Sequence, residues 1–353
     1  MNFFFINGTP LQLLIAEEIK KENDIKDENS ILAIRKTDND PRKYNIKSIS
    51  EVRTYGQWKN ISIIPQKEVK SFLSYLNNFL RYVRATECLL ETNGQIENIF
   101  LGNYGNEAMR HIANKYSQRG VNVVFLDEGI GTIQLYNQRE IFFRNRGKTM
   151  VRWSSILKYL LGLSTHHIKN KITFFTIYDL VETEHTKIIK NRNVVLKNSI
   201  QKYESQPEIF LLGSPFSERG YCSVEQYLDW LAFIKQYFSE HTIIYFAHPR
   251  ENLIFLKLYQ EKLSFEMRFN EMPFELYVLQ EKILPNTIVA FVSTALINSY
   301  DLFGDLCRHV CFVIPIDQLY SKREAMLNLY AHLRQSYINS KIKFIDINFK
   351  INN

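Results

Sequence analysis

The sequence predicts an α/β protein made of two parallel-sheet domains that face each other across a cleft. The chain has 353 residues, which is more than one hydrophobic core usually holds and about right for two. Short apolar runs alternate with amphipathic stretches in the first and last parts of the chain, as strands and helices do in βα units. The composition, 45% hydrophobic and 23% charged, is that of a globular protein.

The first part of the chain predicts a domain over residues 1–130. The apolar run at 2–6 is typical of a buried strand, and Thr9 followed by Pro10 is typical of an N-cap and the first residue of a helix. The other elements follow in alternation. We expect strands at 2–6, 31–35, 61–64, 99–102 and 121–126, and helices at 10–21, 67–87 and 106–118.

The last part, residues 206–353, repeats this pattern and predicts a second domain of the same kind. Residues 131–205 keep neither rhythm, so we expect a basic, partly helical connecting segment or insertion there. In the second domain we expect strands at 209–213, 242–247, near 265, 287–292, 310–314 and 342–345, and helices at 223–238, 251–263, 274–282, from 293 onward, and at 322–336.

The positive charge of the chain is concentrated in the connecting segment. The whole chain carries a net charge of +7, and residues 139–171 alone hold eight basic residues against the single acid Glu140. Residues 153–163 are typical of a short amphipathic helix with a tryptophan anchor, which an anionic membrane surface would attract. The alternative is that this helix packs on its own domain and the charges are solvated. The basic residues are Arg139, Arg144, Arg146, Lys148, Arg152, Lys158, Lys169 and Lys171.

Other classes of protein are disfavoured by the remaining composition. The basic segment contains no recognised nucleic-acid motif, so we expect no nucleic-acid partner. No apolar run approaches the ~18 residues of a membrane-spanning helix, and the N-terminus lacks the basic region of a signal peptide. No CxxC pair or Cys/His spacing indicates a zinc site or a disulfide framework, which fits a reduced cytoplasm. The cysteines are Cys88, Cys222, Cys307 and Cys311.

An acidic motif follows the last predicted strand of the first domain. Asp127, Glu128 and Gly129 come directly after the strand at 121–126, and open α/β sheets bind ligands at the carboxyl ends of their strands. A carboxylate on a glycine-assisted turn there is placed to take a proton from a hydroxyl group as a general base. A role in the turn or as a helix cap is the structural alternative.

A second polar motif, His248-Pro249, ends the predicted strand at 242–247 and precedes a helix. An imidazole at the start of a helix can donate to a phosphate oxygen beside the free amides of the helix, and both favour an anion. This arrangement could stabilise a departing nucleotide phosphate without a metal ion. A purely structural role of His248 and Pro249 is the alternative.

A third motif, Ser293-Thr294, ends the strand at 287–292 and opens another helix, where hydroxyls and amides again suit a phosphate group. Capping alone would also account for Ser293. Between the second and third motifs, Glu275 enters a helix after Pro273 and Phe274. Its carboxylate could accept hydrogen bonds from ribose hydroxyls or favour the helix dipole.

The order of these motifs resembles that of the bacterial sialyltransferases and is most similar to glycosyltransferase family 52, the lipooligosaccharide sialyltransferases. The resemblance covers nearly the whole chain, and the separation of His248 from Glu275 and Ser293 is similar to the spacing in those enzymes. The motifs that carry it are the opening Gly8-Thr9-Pro10-Leu11-Gln12-Leu13-Leu14, then Asp127-Glu128-Gly129, His248-Pro249, Phe274-Glu275 and Ser293-Thr294.

The resemblance implies a GT-B fold, with two Rossmann-like domains, and inverting, metal-independent transfer of sialic acid or a related nonulosonic acid. No cofactor is implied, because the CMP-sugar is the donor substrate. The implied catalytic residues are Asp127 as the base and His248 at the CMP phosphate, and Glu218 and Glu225 are rival bases from the second domain. The implied donor-binding residues are Pro249, Glu275, Ser293 and Thr294, and the implied acceptor-side or turn residues are Thr9, Glu128 and Gly129.

The resemblance also implies the partners and the cellular place of the protein. The partners would be a nucleotide-sugar donor and a glycan acceptor, a galactose-type or sialyl terminus of lipooligosaccharide or capsule. We expect a cytoplasmic protein with peripheral contact at the inner face of the inner membrane through 139–171, and a homodimer stays open. The alternatives are a polysialyl-, legionaminic acid, pseudaminic acid or hexosyltransferase, a nucleotide-sugar epimerase, and an inactive assembly protein.

Overall fold

The computed structural model describes residues 1–37, 49–66, 70–127, 131–145, 163, 167–200, 203–269 and 272–348. It divides into a first unit that ends at Val195 and a second unit that begins at Leu196. Each unit is built around one sheet, and every strand pair in both sheets is parallel. The predicted α/β class is therefore confirmed.

The sheet of the first unit has seven strands in the order β3-β2-β1-β4-β5-β6-β7. The chain starts in the middle at β1, adds β2 and β3 on one side, and then continues with β4 on the other side of β1. The strands are β1 (Asn2–Asn7), β2 (Ser30–Thr37), β3 (Asn60–Gln66), β4 (Asn98–Leu101), β5 (Asn122–Leu126), β6 (Ile172–Thr176) and β7 (Thr186–Lys190).

Helices cover both faces of this sheet, which explains why β1 is apolar at every position from Phe3 to Ile6. Phe3 and Phe5 of β1 pack into one core cluster, whereas Phe4 and Ile6 pack into the other. Alternation of side chains along a strand sends neighbours to opposite faces. The helices are α1 (Pro10–Glu22), α2 (Ile49–Tyr55), α3 (Phe72–Thr92), α4 (Glu107–Ser117), α5 (Gly131–Arg144) and α6 (Val194–Ile200), the last of which crosses into the second unit.

The sheet of the second unit has six strands in the order β10-β9-β8-β11-β12-β13. The strands are β8 (Glu204–Leu212), β9 (Ile243–Phe246), β10 (Glu266–Arg268), β11 (Ile283–Ala290), β12 (Arg308–Val313) and β13 (Ile342–Asp346). The helices are α7 (Val224–Tyr237), α8 (Leu253–Leu263), α9 (Phe274–Glu281), α10 (Thr294–Phe303) and α11 (Arg323–Ser336).

In both sheets the order in which strands are added reverses beside the first strand of the unit. The position of this reversal determines where a ligand can enter. In the first unit the change lies between β1 and β4, and in the second unit it lies between β8 and β11. Helices leave such a pair of strands on opposite faces, which opens a crevice at the carboxyl ends of the two strands. The predicted motifs at strand ends are therefore tested by their position relative to these two pairs.

Most of the described part of the predicted connecting segment 131–205 belongs to the first unit, whereas Glu204 already begins β8 of the second sheet. The structure places β6 and β7 beside β5 and begins the second unit at Leu196, so it divides the chain differently from our expectation. Every residue of β6 is buried, whereas β7 is an edge strand with the exposed Lys187 and Lys190. The lysines around and within these two short strands hid their apolar pattern.

The basic segment 139–171 contains one residue that cannot belong to a membrane-facing surface. Arg139 is fully buried, and its guanidinium donates to three backbone carbonyls and two hydroxyls within the first unit. Leu163 is also buried in the core. Arg144, Lys169 and Lys171 are exposed, whereas Arg146, Lys148, Arg152, Lys158 and the predicted helix before Leu163 lie outside the described residues.

Both boundaries of one predicted helix were wrong by about one turn. The helix expected at 67–87 is α3, which begins after Ser71 and continues to Thr92. The side chain of Ser71 accepts a hydrogen bond from the backbone N–H of Ser74, and the side chain of Ser74 accepts one from the N–H of Ser71. This reciprocal capping box fixes the start of the helix.

The helices of the described residues were also compared with the length and apolarity that a membrane span requires. None of these helices meets both requirements.

Candidate active site

The carboxyl ends of three neighbouring strands bring two of the predicted motifs to one edge of the second sheet. His248 follows β9, Ser293 follows β11, and β8 lies between these two strands and ends at Leu212, just before Gly213 and Ser214. Two strand spacings correspond to about 10 Å. Both His248 and Ser293 are partly exposed, so both side chains are accessible to a ligand.

His248 is held in one tautomer by its own turn. Its Nδ1 atom accepts a hydrogen bond from the backbone N–H of Arg250 at 3.1 Å, so the proton of the neutral ring resides on Nε2. Burial, with smaller contributions from Arg250 and Arg219, lowers the pKa of His248 to about 4. At neutral pH the side chain is therefore an uncharged donor through Nε2–H. Pro249 occupies the second position of this turn.

Ser293 and Thr294 form the N-terminus of α10. The Ser293 hydroxyl accepts a hydrogen bond from the backbone N–H of Ala295 at 3.2 Å, which makes it the N-cap, and Thr294 is the first helical residue. Capping and phosphate binding are compatible, because the Ser293 hydroxyl can donate its hydrogen while it accepts from Ala295, and helix N-termini favour bound anions. The edge thus presents hydroxyl and amide donors opposite the His248 turn.

Glu275 occupies a different environment from the one that ribose binding requires. It is only 4% exposed, and its Oε1 accepts a hydrogen bond from the Asn298 side chain at 2.7 Å. Burial raises the pKa of Glu275 above its ordinary value. The contact joins α9 to α10, so in this structure Glu275 supports the helix that carries Ser293 and Thr294.

Asp127 lies at the carboxyl end of β5 in the first unit, as the sequence predicted. It is 3% exposed, and its Oδ2 accepts hydrogen bonds from the Thr176 hydroxyl at 3.0 Å and the Ile177 backbone N–H at 2.8 Å. These contacts fasten the end of β5 to the end of β6. Glu128 and Gly129 lie outside the described residues.

The two rival carboxylates of the second unit have different surroundings. Glu218, on the loop after β8, is partly exposed and accepts a hydrogen bond from the backbone N–H of Asn252 at 2.8 Å. Glu225 lies on the exposed first turn of α7, where hydrogen bonds from its own backbone N–H and from Ser223 lower its pKa. Of the two, Glu218 lies nearer to the His248 turn, because it bonds the residue that caps α8.

The first unit contains a pocket lined by residues that belong to none of the predicted sequence motifs. Arg35 near the end of β2, Tyr75 on α3 and Glu107 on α4 line it together with Asn78 and Tyr82. The Tyr75 hydroxyl donates to the Glu107 carboxylate, and burial together with this carboxylate raises the pKa of Tyr75. These residues are far apart in the sequence, so no local sequence pattern marks them as a group.

Two further contacts complete the edge around this pocket. Arg110, one turn after Glu107 on α4, donates to the carbonyls of Tyr104 and Gly105, and Arg35 donates to Asn7 at the end of β1. Thr9 directly precedes α1 as its N-cap residue, and its side chain makes no capping hydrogen bond. The crevice therefore combines arginines, tyrosines and one carboxylate.

A metal centre has no support among the described residues. No group of three or more His, Cys, Asp or Glu side chains in that part of the chain could hold a metal ion. The expectation that the protein needs neither a metal nor a cofactor stays a prediction.

The comparison with protein families decides the assignment of the chain. The model of the alpha-2,8-polysialyltransferase (POLYST) family matches residues 2–311, which span both units. The chain belongs to this polysialyltransferase family. The predicted relation to bacterial sialyltransferases and the prediction of a glycosyltransferase are confirmed at this level. No sequence among curated proteins matches significantly.

Solved structures similar to this polysialyltransferase family member share its fold. A UDP-GlcNAc 2-epimerase from Methanocaldococcus jannaschii aligns with a TM-score of 0.54 at 13% identity, over 99% of this chain and 89% of the epimerase. The GT-B domain of a sialyltransferase from Photobacterium damselae aligns with a TM-score of 0.50 at 12% identity, over 98% and 100% of the two chains. The calicheamicin glycosyltransferase CalG4 aligns with the same TM-score at 13% identity, over 98% and 85%. Together with the two parallel sheets, these neighbours confirm the GT-B fold.

Proposed function

We propose that this polysialyltransferase family member transfers sialic acid, or a closely related nonulosonic acid, from a CMP-linked donor to the sialyl terminus of a surface glycan. The observation that carries the proposal is the His248 turn, which offers an uncharged Nε2–H donor on the same sheet edge as the Ser293-capped N-terminus of α10. Such an edge suits a nucleotide phosphate, and a sialyltransferase must stabilise that group as it leaves.

The proposed reaction is a single displacement. The acceptor oxygen forms a bond to the anomeric carbon of the donor sugar while the bond from that carbon to the phosphate oxygen breaks. A carboxylate takes the proton of the acceptor hydroxyl, and CMP leaves with the electron pair. The configuration at the anomeric carbon inverts. The charge that develops on the phosphate would be met by His248, Ser293 and Thr294, so no metal ion would be required.

The acceptor side of the proposal depends on the pocket in the first unit. The charges of Arg35 and Arg110 both act on Tyr75 and oppose the rise in its pKa, so both arginines lie near this pocket. An arginine binds a carboxylate through two parallel N–H donors, and a sialyl terminus carries a carboxylate whereas a galactose terminus does not. These residues therefore support a sialyl acceptor over a galactose-type one, in agreement with the family.

The base in the proposal is one of four carboxylates. Asp127 remains our first choice because it lies at a strand end of the first unit, although its Oδ2 is occupied by Thr176 and Ile177. Glu107 is added by the structure because it lines the acceptor-side pocket. Glu218 and Glu225 are the alternatives in the second unit.

The proposal is tested by incubating the purified protein with CMP-Neu5Ac. We expect CMP to be released faster with a sialylated oligosaccharide than with lactose or without an acceptor, and we expect EDTA to leave the rate unchanged. UDP-GlcNAc in place of CMP-Neu5Ac should give neither UDP nor an epimer. Release of CMP with lactose alone would favour the lipooligosaccharide-type acceptor of family 52, and turnover of UDP-GlcNAc alone would overturn the proposal.

The remaining expectations on partners are part of the same proposal. Contact with an anionic membrane would depend on the residues of 139–171 other than the buried Arg139. Among these, Arg144, Lys169 and Lys171 are exposed. The cytoplasmic location and a homodimer also stay proposals. Flotation with anionic and neutral vesicles tests the first of these, and sedimentation of the purified chain tests the last.

A further inference from the structure

A buried chain of hydroxyls and one carboxylate lies directly behind the His248 turn. Tyr227 of α7, Tyr245 of β9 and Glu251, just before α8, are all buried. The Tyr227 and Tyr245 hydroxyls lie 3.1 Å apart, and the Tyr245 hydroxyl donates to the Glu251 carboxylate at 2.5 Å. None of these three residues belongs to a motif of the sequence, and the reaction proposed above does not use them.

Each end of this chain holds a backbone amide at the candidate donor site. At one end, the backbone N–H of Ser214, after β8, donates to the Tyr227 hydroxyl at 3.0 Å. At the other end, the backbone N–H of His248 donates to the second carboxylate oxygen of Glu251 at 2.6 Å. These three hydrogen-bonded side chains therefore link a residue just after the end of β8 to the turn after β9.

When Glu251 is ionised, the direction of the hydrogen bonds is fixed by these two ends. Because Tyr245 donates to Glu251, its oxygen is left to accept the hydrogen of Tyr227, whose own oxygen accepts from Ser214. Each hydroxyl then donates once and accepts once, and the carboxylate accepts at both oxygens. Loss of either hydroxyl or of the carboxylate interrupts the chain.

Glu251 also closes the turn that orients the imidazole. Its backbone N–H donates to the carbonyl of His248 at 2.9 Å, while its side chain accepts from the N–H of the same residue. Within this doubly closed turn, the N–H of Arg250 reaches Nδ1 of His248. A carboxylate that fixes the turn thus also fixes which ring nitrogen faces the ligand.

Gly213 shows how closely this carboxylate approaches the end of β8. A Cβ atom at Gly213 would lie 2.3 Å from a Glu251 carboxylate oxygen and 2.6 Å from the Tyr245 hydroxyl. Only glycine leaves room for both groups, so this close approach of the network to the end of β8 requires a glycine at position 213.

We propose that Glu251, Tyr245 and Tyr227 form a positioning network that anchors the His248 turn to Ser214, at the end of β8, and thereby holds the His248 imidazole toward the donor phosphate. The proposal rests on the proposed function, because the ligand at this edge is taken to be the CMP moiety. The three residues do not touch the donor. They act by fixing the groups that do, and a displacement of about 1 Å in such groups can cost 10²-fold in rate.

The test compares four variants that remove one part of the network at a time: Glu251→Gln, Glu251→Ala, Tyr245→Phe and Tyr227→Phe. We expect kcat to fall about 10²-fold in Glu251→Ala, with a smaller loss in the two phenylalanine variants, while KM for the acceptor stays unchanged. Glu251→Gln should retain more activity than Glu251→Ala, because the amide oxygen can still accept from His248. The matched control is Tyr116→Phe, which removes the hydroxyl of a buried tyrosine on α4 of the first unit.

A second readout does not require turnover. The ¹⁵N chemical shifts of the His248 ring should show the Nε2–H tautomer in the intact protein and in Tyr116→Phe, and a mixture of tautomers in Glu251→Ala. If Glu251→Ala does not fold, Tyr245→Phe and Glu251→Gln carry the test. Unchanged kcat and unchanged ring shifts in all network variants would overturn the positioning proposal. An inactive wild-type protein whose ring shifts respond to Glu251→Ala would instead contradict only the proposed function.

Discussion

The Nδ1 atom of His248 accepts a hydrogen bond from the backbone N–H of Arg250 at 3.1 Å, and this single contact determines what the imidazole can offer a ligand. The ring presents Nε2–H on the sheet edge that also carries Ser293. Because burial and nearby arginines lower the pKa of His248 to about 4, the ring is a neutral donor at pH 7. A neutral donor can hydrogen-bond to the phosphate but does not neutralise its charge. The hydroxyls and amides around it would therefore also have to stabilise that charge.

Replacement of His248 should remove most turnover and leave the fold intact. We expect His248→Ala to lower kcat about 10²- to 10³-fold, as the loss of one donor to a developing charge does in other enzymes. His241→Ala is the matched control, because His241 is an exposed histidine of the same unit. Steady-state CMP release measures both variants, and circular dichroism checks their folds. Near-normal transfer by His248→Ala would exclude His248 from the mechanism.

The pattern of apolar runs predicted most of the fold because each run marks a buried strand. Phe3 to Ile6 alternate between two helix layers, so this part of β1 is apolar on both faces and stands out as an apolar run in the sequence. The strands β6 and β7 were missed because lysines flank or interrupt them at the sheet edge. Short-range sequence patterns report burial along the chain and do not report which strands become neighbours.

The candidate site was predictable only where a motif ends a strand. His248, Ser293 and Asp127 all lie at the carboxyl ends of strands, as expected. Contacts between residues far apart in the chain gave no such signal. Tyr75 reaches Glu107 from another helix, and Tyr227 reaches Tyr245 from α7. Such pairs are set by helix packing on the sheet, which a single sequence does not encode in any local pattern.

The four candidate bases should separate when each is replaced by its amide. We expect one of Asp127→Asn, Glu107→Gln, Glu218→Gln and Glu225→Gln to lower kcat about 10²- to 10⁴-fold, the usual contribution of a positioned base. The other three should retain most activity, apart from a loss of stability in Asp127→Asn because Oδ2 holds Ile177. Transfer rates and thermal melts are measured together. Four modest losses of equal size would contradict a carboxylate base among these residues.

Removal of the arginine in the first-unit pocket should weaken acceptor binding and spare the donor. We expect Arg35→Ala to raise KM for a sialylated acceptor about 10-fold or more, because a hydrogen-bonded charge contributes about 1.5–3 kcal/mol. CMP release without an acceptor should not change. Arg84→Ala removes an equal charge from the exposed face of α3 and serves as the control. An equal effect of Arg35→Ala on donor hydrolysis would contradict an acceptor role for this pocket.

The buried Arg139 should matter for stability and not for membrane contact. Its guanidinium donates to Ile168, Asn170 and His185 carbonyls, which a lysine cannot all reach. We expect Arg139→Lys to lower the free energy of unfolding by about 2 kcal/mol, because at least one buried carbonyl loses its partner. Arg144→Lys, at the exposed end of the same helix, should change it little. Urea unfolding measures the difference, and vesicle flotation of Arg139→Lys should equal that of the wild type.

The buried Glu251 should make the protein less stable as the pH rises. Burial raises the pKa of Glu251 to about 8 in the folded chain, against 4.5 as the ordinary value, so the folded state binds more protons between these values. Its contribution to stability is complete below pH 4.5 and is lost as the pH rises through 8. His248 acts in the opposite sense only below its ordinary value of 6.5, because its folded pKa is about 4. Above pH 6.5 the trend therefore belongs to Glu251 among the groups of this turn.

Glu251→Gln should remove this trend, since the amide does not titrate. We expect the free energy of unfolding of Glu251→Gln, relative to wild type, to increase steadily from pH 6.5 to pH 8, by up to about 1.4 kcal/mol per pH unit. Glu261→Gln, an exposed change on α8, should show no such increase. Urea unfolding at several pH values measures both. A difference between Glu251→Gln and wild type that does not vary with pH would mean that Glu251 is ionised throughout, and the hydroxyl of Tyr245 would then face a permanent buried charge.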